Sequence, residues 1–274
     1  MTVELGRYGF WRRQAGFTPE LAREVEALGF GAIWIGGSPP ADLTEVEGLL
    51  AATDRIAIAT GIVNMWASAA AEVAASYHRI AARYPGRFLL GVGIGHPEAT
   101  REYKSPYQTI VDYLDVLDEH EVPVADRVLA ALRPKALAVA GERTAGTHPY
   151  LTTPEHTRSA REQLGPGVLI APEQTAAIDA PDSALARAFV RRYLGLRNYV
   201  ANLRTLGFTE ADVADGGSDR LVDALVTQGD AAAVAARLDE HLTAGADHVC
   251  VQLLGDDDAV APALRGVAEA LGLR

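Results

Sequence analysis

The chain has 274 residues, of which 49% are hydrophobic and 22% are charged, as is ordinary for a soluble globular enzyme with a full core. Its net charge of −11 argues against binding to nucleic acids or to anionic membrane surfaces. One cysteine, no recognisable signal peptide and no apolar run of membrane-spanning length predict a cytoplasmic protein without disulfide bonds.

Short apolar runs alternate with amphipathic segments through the first half of the chain. A first strand is expected over residues 3–9, running into 10–13. Thr18 and Pro19 then cap and start a helix that Gly29 ends. Further strands are expected over 32–35, 56–61 and 87–93, and further helices over 43–52, 69–84 and 106–120.

The same alternation continues through the second half. Strands are expected over 127–132, 146–151, 168–171 and 248–254, and the third of these has an optional continuation to residue 178. Helices are expected over 134–143, 154–165, 230–245 and 261–271. The stretch 183–207 also reads as helix, with interruptions at Gly195 and Asn198, and a new cap follows the glycines at 216 and 217.

About eight strand–helix units in one domain predict an α/β fold of the (β/α)8 TIM-barrel type, formed by residues 1–274 as a single domain. The alternative is an open, doubly wound parallel sheet. That fold would require a glycine-rich fingerprint after the first strand, where this chain has Phe10-Trp11-Arg12-Arg13. The barrel is therefore the preferred prediction.

The loops that follow the strands form the active-site face of such a barrel. Here they are rich in glycine and aromatic residues and poor in carboxylates, and their histidines lack metal-ligand spacing, so we expect no metal site. A nucleophile elbow and a phosphate-binding loop are also missing from the sequence. This composition favours a flat cofactor that carries the chemistry itself, with a small-molecule substrate.

Two segments resemble the bacterial luciferase-like monooxygenase superfamily. Residues 83–98, RYPGRFLLGVGIGHPE, resemble its fourth-strand signature, and residues 59–64, ATGIVN, resemble its third strand. Residues 230–249 are similar to its C-terminal helix and strand. The resemblance is closest to the actinobacterial branch that uses the deazaflavin coenzyme F420, and relatives are commonly homodimers.

The resemblance implies a cis peptide bond between Gly61 and Ile62 that backs the cofactor ring. It also implies His96 as the candidate catalytic residue, which would polarise the substrate or transfer a proton. The implied cofactor-binding positions are Gly37, Gly61, Ile62, Val63, Asn64, Gly95, His96, Ala130, Ala131, Thr152 and Thr153. Thr152 and Thr153 would lie near the phosphate-bearing tail, at a helix N-terminus that favours an anion.

The sequence departs from the family pattern after the second strand. Several deazaflavin dehydrogenases have Asp or His where Gly36 and Gly37 stand, which puts a sugar-phosphate dehydrogenase activity in doubt and leaves the proton donor open. His148 and Glu173 also fall on the active-site face and are candidates for pocket residues. Trp66 is the tryptophan best placed for substrate stacking.

Three functions remain open at the level of sequence. The first is an F420-dependent oxidoreductase that transfers a hydride between deazaflavin C5 and a small organic substrate. The second is an FMN-dependent luciferase-like monooxygenase on the same fold. The third is a non-catalytic cofactor-binding protein, because the rim lacks an obvious acid–base pair.

Overall fold

The computed structural model describes residues 3–95, 105–178 and 184–273. Within these residues eleven strands lie parallel to one another. They are β1 (Tyr8–Arg13), β2 (Ala32–Gly36), β3 (Ala57–Thr60), β4 (Val63–Asn64), β5 (Phe88–Gly93), β6 (Arg127–Leu129), β7 (Gly146–Thr147), β8 (Leu169–Ile170), β9 (Glu173–Ile178), β10 (Val226–Gly229) and β11 (Val249–Leu253).

Twelve α-helices connect the strands in the described part of the chain. They are α1 (Pro19–Ala27), α2 (Thr44–Ala52), α3 (Ala70–Arg83), α4 (Pro106–Glu119), α5 (Pro134–Arg143), α6 (Pro154–Leu164), α7 (Ala184–Leu194), α8 (Arg197–Thr205), α9 (Glu210–Val213), α10 (Asp219–Leu225), α11 (Ala231–Thr243) and α12 (Asp257–Ala270). The predicted caps are confirmed, because the side chains of Thr18, Ser218 and Asp230 accept backbone N–H bonds from the first turns of α1, α10 and α11.

The sheet closes into a barrel through the segment that links β8 to β9. The strands follow one another around the sheet from β11 through β1, β2, β3, β5, β6 and β7 to β8. The Ala171 N–H donates to Thr147 O on one side, and the Cys250 N–H donates to Pro172 O on the other. This segment therefore lies between β7 and β11 and completes the predicted TIM barrel of parallel strands.

Side chains alternate between the barrel interior and the surrounding helices. On β2, Trp34 packs inside the barrel with small residues of neighbouring strands, whereas Ile33 and Ile35 pack outward in the helix-facing core. Both faces of this strand are buried, which explains why its sequence is an unbroken apolar run.

A second hydrophobic cluster lies beside the barrel. It is built mainly from α7, α8 and α10 with parts of β9 and β10, and its members include Val190, Tyr193, Tyr199, Leu203 and Leu221. These elements lie in the chain between β9 and β11. They bring aromatic side chains from a separate layer to the ends of the barrel strands.

Several predicted boundaries are wrong for identifiable reasons. The first strand begins at Tyr8, because Gly6 turns the chain with a φ of 64° while Val3 and Leu5 pack against the interior of the barrel. The sixth strand ends at Thr147 rather than 151. Strand β10 was not predicted, because it continues the apolar run that also forms α10.

Other differences concern interruptions. The expected seventh strand is broken at Pro172, which has no N–H for a sheet ladder, so β8 and β9 are separate. The stretch 183–207 contains two helices, α7 and α8, that break at the anticipated Gly195. The closing helix starts at Asp257, four residues before the expected start.

Candidate active site

The carboxyl ends of β3, β4, β5 and β6 form one side of the barrel mouth. The Gly61–Ile62 peptide bond there is cis, as the sequence analysis predicted. The Gly61 N–H donates to Ile35 O at 2.8 Å, and Trp11 Nε1 donates to Gly61 O at 3.2 Å. The Trp11 bond therefore holds the carbonyl of the cis peptide, and the bond to Ile35 holds the peptide that precedes it.

Small residues continue this side of the mouth. A Cβ atom at Gly93 would lie 2.9 Å from Ala130 Cβ and 3.1 Å from Ile62 Cγ1, and a Cβ at Gly95 would lie 2.6 Å from Asn64 Nδ2. These groups are thus in close contact. We call the partly exposed residues of this side the glycine shelf: Gly61, Ile62, Asn64, Gly95 and Ala130.

Asn64 holds the loop that follows the glycine shelf. Its Oδ1 accepts the Trp66 N–H at 2.9 Å, and its carbonyl oxygen accepts the N–H groups of Ala67 and Ser68. The Met65 N–H donates to Gly93 O at 2.9 Å. Asn64 therefore orders the turn between β4 and α3 and keeps its amide beside Gly95.

Aromatic rings fill the rest of the mouth, beginning with Trp11, which contacts Gly61 of the glycine shelf. We call this group the aromatic cover, and it consists of Trp11, Tyr150, Tyr193 and Tyr199. The ring centroids of Trp11 and Tyr150 are 5.3 Å apart, those of Tyr150 and Tyr193 are 5.5 Å apart, and those of Tyr193 and Tyr199 are 5.4 Å apart. These offset and edge contacts are typical of stable aromatic clusters.

The hydroxyl groups of the aromatic cover form a directional chain. Tyr150 Oη donates to Gln252 Oε1 at 2.8 Å, which uses its single proton. Tyr150 Oη and Tyr193 Oη are 2.9 Å apart, so Tyr193 must be the donor in that second bond. Burial raises the pKa of Tyr150 well above its usual value of 10, so its hydroxyl stays protonated at neutral pH.

Glu173 is buried beside the aromatic cover, with only 1% of its surface exposed. Its Oε1 accepts a hydrogen bond from Thr175 Oγ1 at 2.5 Å, whereas its Oε2 has no partner among the described residues. Burial raises the pKa of this carboxyl to about 8, against smaller opposing effects of the Thr175 hydroxyl and the Leu151 N–H. Glu173 is therefore mostly protonated at pH 7.

Two histidines and a tryptophan form the floor beneath the mouth. The rings of Trp34 and His148 stack with centroids 4.0 Å apart, and Trp34 Nε1 donates to His248 Nε2 at 2.9 Å. His148 Nδ1 donates to the carbonyl of Ala171, so its Nε2 is an acceptor, and that atom finds no partner in the described parts of the chain. Burial lowers the pKa of His148 and of His248 to about 4, so both are neutral at pH 7.

The remaining candidate positions lie in different surroundings. Gly37 is exposed with a φ of 84°, and the side chain of Val63 belongs to the helix-facing core. Ala131 is buried, and its carbonyl accepts the Thr147 hydroxyl at 3.1 Å. His96, the candidate catalytic residue, lies outside the described residues.

Thr152 and Thr153 precede α6, as expected, but their side chains are 1% and 3% exposed. Thr153 occupies the N-cap position without a side-chain capping bond, and Pro154 follows it. The start of the helix therefore offers backbone groups rather than accessible hydroxyls to a ligand.

The tyrosines of the aromatic cover were not identified as site residues from the sequence. Tyr193 and Tyr199 reach the mouth from α7 and α8. Both tyrosines lie more than forty residues after Tyr150 in the sequence. The sequence feature that could have indicated them is the cluster of aromatic residues in the long helical stretch after the seventh strand. Only the closed barrel of the folded protein shows that this cluster lies near Glu173.

The described residues contain no group of three or more His, Cys, Asp or Glu side chains placed to hold a metal ion. In the same residues, no helix is long and apolar enough to cross a membrane. Cys250 is buried in the barrel interior, as predicted for a core residue.

Comparison with known proteins gives one sequence match and several structural ones. Residues 12–121 match the family model described as luciferase-like monooxygenase. This range includes the end of β1, all of β2 to β5 and four of the five residues of the glycine shelf, with Ala130 beyond it. No curated protein matches the chain in sequence.

Solved structures with the same fold cover nearly the whole chain. One is an F420-dependent secondary alcohol dehydrogenase in complex with an F420-acetone adduct, with a TM-score of 0.72 and 16% identity over 97% of this chain and 99% of that chain. A coenzyme F420-dependent tetrahydromethanopterin reductase from Methanopyrus kandleri gives 0.69 and 16%, over 98% and 99%.

A third structure contains a different cofactor. It is the oxygenating constituent of 3,6-diketocamphane monooxygenase from Pseudomonas putida in complex with FMN, with a TM-score of 0.70 and 12% identity over 97% of this chain and 98% of that chain. At these identities the structural matches establish the fold. They show that the chain has the α/β-barrel fold of luciferase-like enzymes, and residues 12–121 are similar in sequence to the luciferase-like monooxygenase family.

Proposed function

We propose that the protein is a coenzyme F420-dependent oxidoreductase that transfers a hydride between deazaflavin C5 and a small organic substrate. The glycine shelf carries this proposal, because it is a partly exposed surface of small residues at the carboxyl ends of neighbouring barrel strands. The resemblance of residues 83–98 to F420-using relatives supports it. Two solved structures of the same fold are also described as F420-dependent.

The shelf suits a flat tricyclic ring. Gly61, Gly95 and Ala130 present backbone and at most a methyl group, so a planar ring can approach the main chain closely. A side chain larger than hydrogen at Gly93 would press on Ala130 and Ile62 beneath such a ring. The residues present therefore fit a deazaflavin or flavin.

When bound, the reduced deazaflavin supplies a hydride from C5, a carbon that reacts poorly with oxygen. The Gly61–Ile62 peptide would orient the ring, and its carbonyl is held by the bond from Trp11. The aromatic cover would exclude water from the rest of the mouth. We propose that His96 contacts the substrate and polarises it or transfers a proton.

Other residues are proposed to hold the rest of the cofactor. Val63, Asn64 and Ala131 would support the ring through the backbone, and Gly37 would lie at the rim. The N-terminus of α6, after Thr152 and Thr153, would favour the phosphate of the tail. Because both hydroxyls are buried, this contact would use backbone N–H groups beyond Pro154.

An FMN-dependent luciferase-like monooxygenase is the second candidate. The FMN complex of similar fold supports it, since its TM-score of 0.70 is close to that of the F420-dependent dehydrogenase. The glycine shelf alone does not distinguish the two ring systems. Oxygen-dependent turnover with reduced FMN would favour this candidate.

The test is a fluorescence titration of the purified protein with F420 and, separately, with FMN. We expect saturable F420 binding that Gly93→Val weakens about 100-fold and Gly48→Ala leaves unchanged, because a Cβ at Gly48 would meet nothing within 4 Å. Saturable FMN binding without F420 binding would contradict the assignment. Binding of F420 without turnover over a broad substrate panel would favour a non-catalytic binding protein instead.

The homodimer and the cytoplasmic location stay predictions. Size-exclusion chromatography with light scattering would test the first, and cell fractionation would test the second. We also propose that the partner of the site is a small molecule rather than a nucleic acid, as the net charge of −11 suggests.

A further inference from the structure

We propose that Glu173 is held as a neutral carboxylic acid in the barrel mouth, and that its unpaired O–H binds the substrate's oxygen and supplies the proton that accompanies hydride transfer. This inference rests on the proposed function, because it names the acid for the same site. It also answers a question that the sequence left open, since Gly36 and Gly37 stand where several relatives carry an acid or a histidine.

The fold positions the Glu173 side chain inside the barrel. Glu173 is the first residue of β9, directly after the break at Pro172, and it lies beside Cys250 of β11 in the strand register. Cys250 belongs to the barrel-interior cluster. The Glu173 N–H donates to Pro149 O at 2.9 Å, which ties the residue to the loop that carries Tyr150.

The two carboxyl oxygens of Glu173 have different surroundings. Oε1 accepts a hydrogen bond from the Thr175 hydroxyl. Oε2 is buried and meets no partner in the residues described. The proton of the neutral acid therefore belongs on Oε2, where it forms an O–H donor that a substrate oxygen can satisfy.

The groups that face Glu173 do not stabilise a carboxylate. They are Tyr150 after β7, Tyr199 on α8 and Cys250 on β11, and burial raises the pKa of each well above its usual value, so all three are neutral at pH 7. The charge of an ionised Glu173 raises the pKa of Tyr150, Tyr199 and Cys250. Burial raises the pKa of Glu173 itself to about 8, which is near the optimum for an acid working at neutral pH.

The neighbouring polar groups are less suitable as proton donors. The Tyr150 proton is engaged with Gln252, and the pKa of Tyr150 is raised well above 10. His148 keeps its only proton on Nδ1, bonded to Ala171 O, so its free Nε2 accepts rather than donates. Of the polar groups in this cluster, Glu173 is thus the one whose proton is most easily transferred and is not already hydrogen-bonded to an acceptor.

The proposed step is the reduction of a carbonyl or a conjugated enone. Hydride and its two electrons come from a reduced deazaflavin and form a new C–H bond at the electrophilic carbon. The O–H bond at Glu173 Oε2 breaks, and its proton forms an O–H bond at the substrate's oxygen. The resulting carboxylate keeps the bond from Thr175 and regains a proton from the solvent.

The first test uses the protein without cofactor. Infrared difference spectra across pH 5–10 should show the C=O stretch of a protonated carboxylic acid, lost with a midpoint near pH 8. This band should be absent in Glu173→Gln and present in the matched control Glu162→Gln, whose side chain is exposed on α6. A Glu173 already ionised at pH 7 would overturn the proposal.

The second test uses reduced F420 with the conjugated enone cyclohex-2-en-1-one as the acceptor. Glu173→Gln keeps an N–H donor but cannot give up a proton, so we expect kcat to fall at least 100-fold at pH 7 while KM for the enone changes less than threefold. The native fall in kcat above pH 8 should vanish in this variant. Native kcat and an unchanged pH profile in Glu173→Gln would overturn the role in proton supply.

Binding of F420, measured on the same samples, distinguishes a failure of the Glu173 role from a failure of the proposed function. If native protein and Glu173→Gln both bind F420 but the variant keeps full activity, the role of Glu173 fails and the proposed function stands. If neither binds F420, the proposed function fails, and the proton-supply role fails with it even where the infrared band confirms a neutral acid.

Discussion

The two sides of the barrel mouth differ in side-chain size and in chemistry. The glycine shelf consists of partly exposed, mostly small residues and carries no titratable group. The facing side contains the aromatic cover and Glu173, and burial raises the pKa values of Tyr150, Tyr199 and Glu173. One side thus offers space for a planar ring, and the other offers groups that can hold a proton away from water.

This difference follows from how the chain builds each side. The shelf comes from ends of neighbouring strands within a single stretch, residues 61–130, so local sequence determines its shape. The facing side joins residues from β1, β9 and β11 with helices α7 and α8 of the second cluster. Its pKa shifts arise because these distant elements bury one another's polar groups.

Replacing Glu173 should produce the largest effect on stability. The unfolded chain releases the Glu173 proton above about pH 4.5, whereas the folded chain keeps it until about pH 8, so native stability falls as pH rises between these values. Glu173→Gln removes this fall. We expect the variant's free energy of unfolding to exceed the native value by about 3 kcal/mol at pH 7.

Urea unfolding at pH 4.5, 7 and 9 measures this difference. It should be close to zero at pH 4.5 and should reach its plateau above pH 8. A variant that is less stable than the native protein at pH 9 would show that the ionised Glu173 has a stabilising partner that is absent from the structure.

On the shelf, Gly93→Val should weaken F420 binding about 100-fold. Its Cβ would start 2.9 Å from Ala130 and 3.1 Å from Ile62, and its methyl groups would occupy the space that we assign to the ring. A 100-fold change corresponds to about 2.7 kcal/mol. Fluorescence titration measures the effect, with Gly48→Ala as the control, and unchanged affinity in Gly93→Val would place the ring elsewhere.

The floor beneath the mouth should make the protein sensitive to acid. His148 and His248 are neutral in the folded state, with pKa values of about 4, and their unfolded value is 6.5. As pH falls below 6.5 the unfolded chain binds protons that the folded chain does not, so stability decreases. Each histidine should cost about 2 kcal/mol between pH 6.5 and pH 5.

Chemical unfolding over this pH range checks the prediction. The histidines lower native stability as pH falls, and Glu173 lowers it as pH rises. Together these two effects place the maximum of native stability near pH 6.5. A stability that stays constant from pH 6.5 to pH 5 would contradict the buried, neutral state of both histidines.

Tyr193→Phe should have the smallest effect. It removes the hydroxyl that donates to Tyr150 but leaves the packed ring, so we expect a loss of about 1 kcal/mol in stability. Affinity for F420 should change less than twofold, since the shelf is untouched. Thermal unfolding measures the loss, and Tyr107→Phe, which is 48% exposed, serves as the control.

Sequence alone predicted much of the fold and one side of the mouth. The cis bond at Gly61, which the family resemblance implied, is present. The ranges of α5 and α6 and the caps at Thr18 and Asp230 depend on local signals and are confirmed. Glycine and proline mark such features in a single stretch of chain. The shelf residues other than Ala130 also lie in the two segments that resemble the luciferase-like family.

The facing side depends on contacts that no local pattern reveals. Tyr150 meets Gln252 across 102 positions and Tyr193 across 43. The neutral state of Glu173 results from burial by these distant groups, so its sequence neighbours gave no indication of a raised pKa. For the same reason the burial of Thr152 and Thr153 could not be read from their place before a helix.

A crystal structure of the protein with F420 tests the central claim most directly. The account predicts that the deazaflavin ring contacts the Gly61–Ile62 peptide and Ala130, with Glu173 on the facing side of the mouth. A ring bound away from the glycine shelf, or FMN in that position with F420 unable to bind, would contradict it.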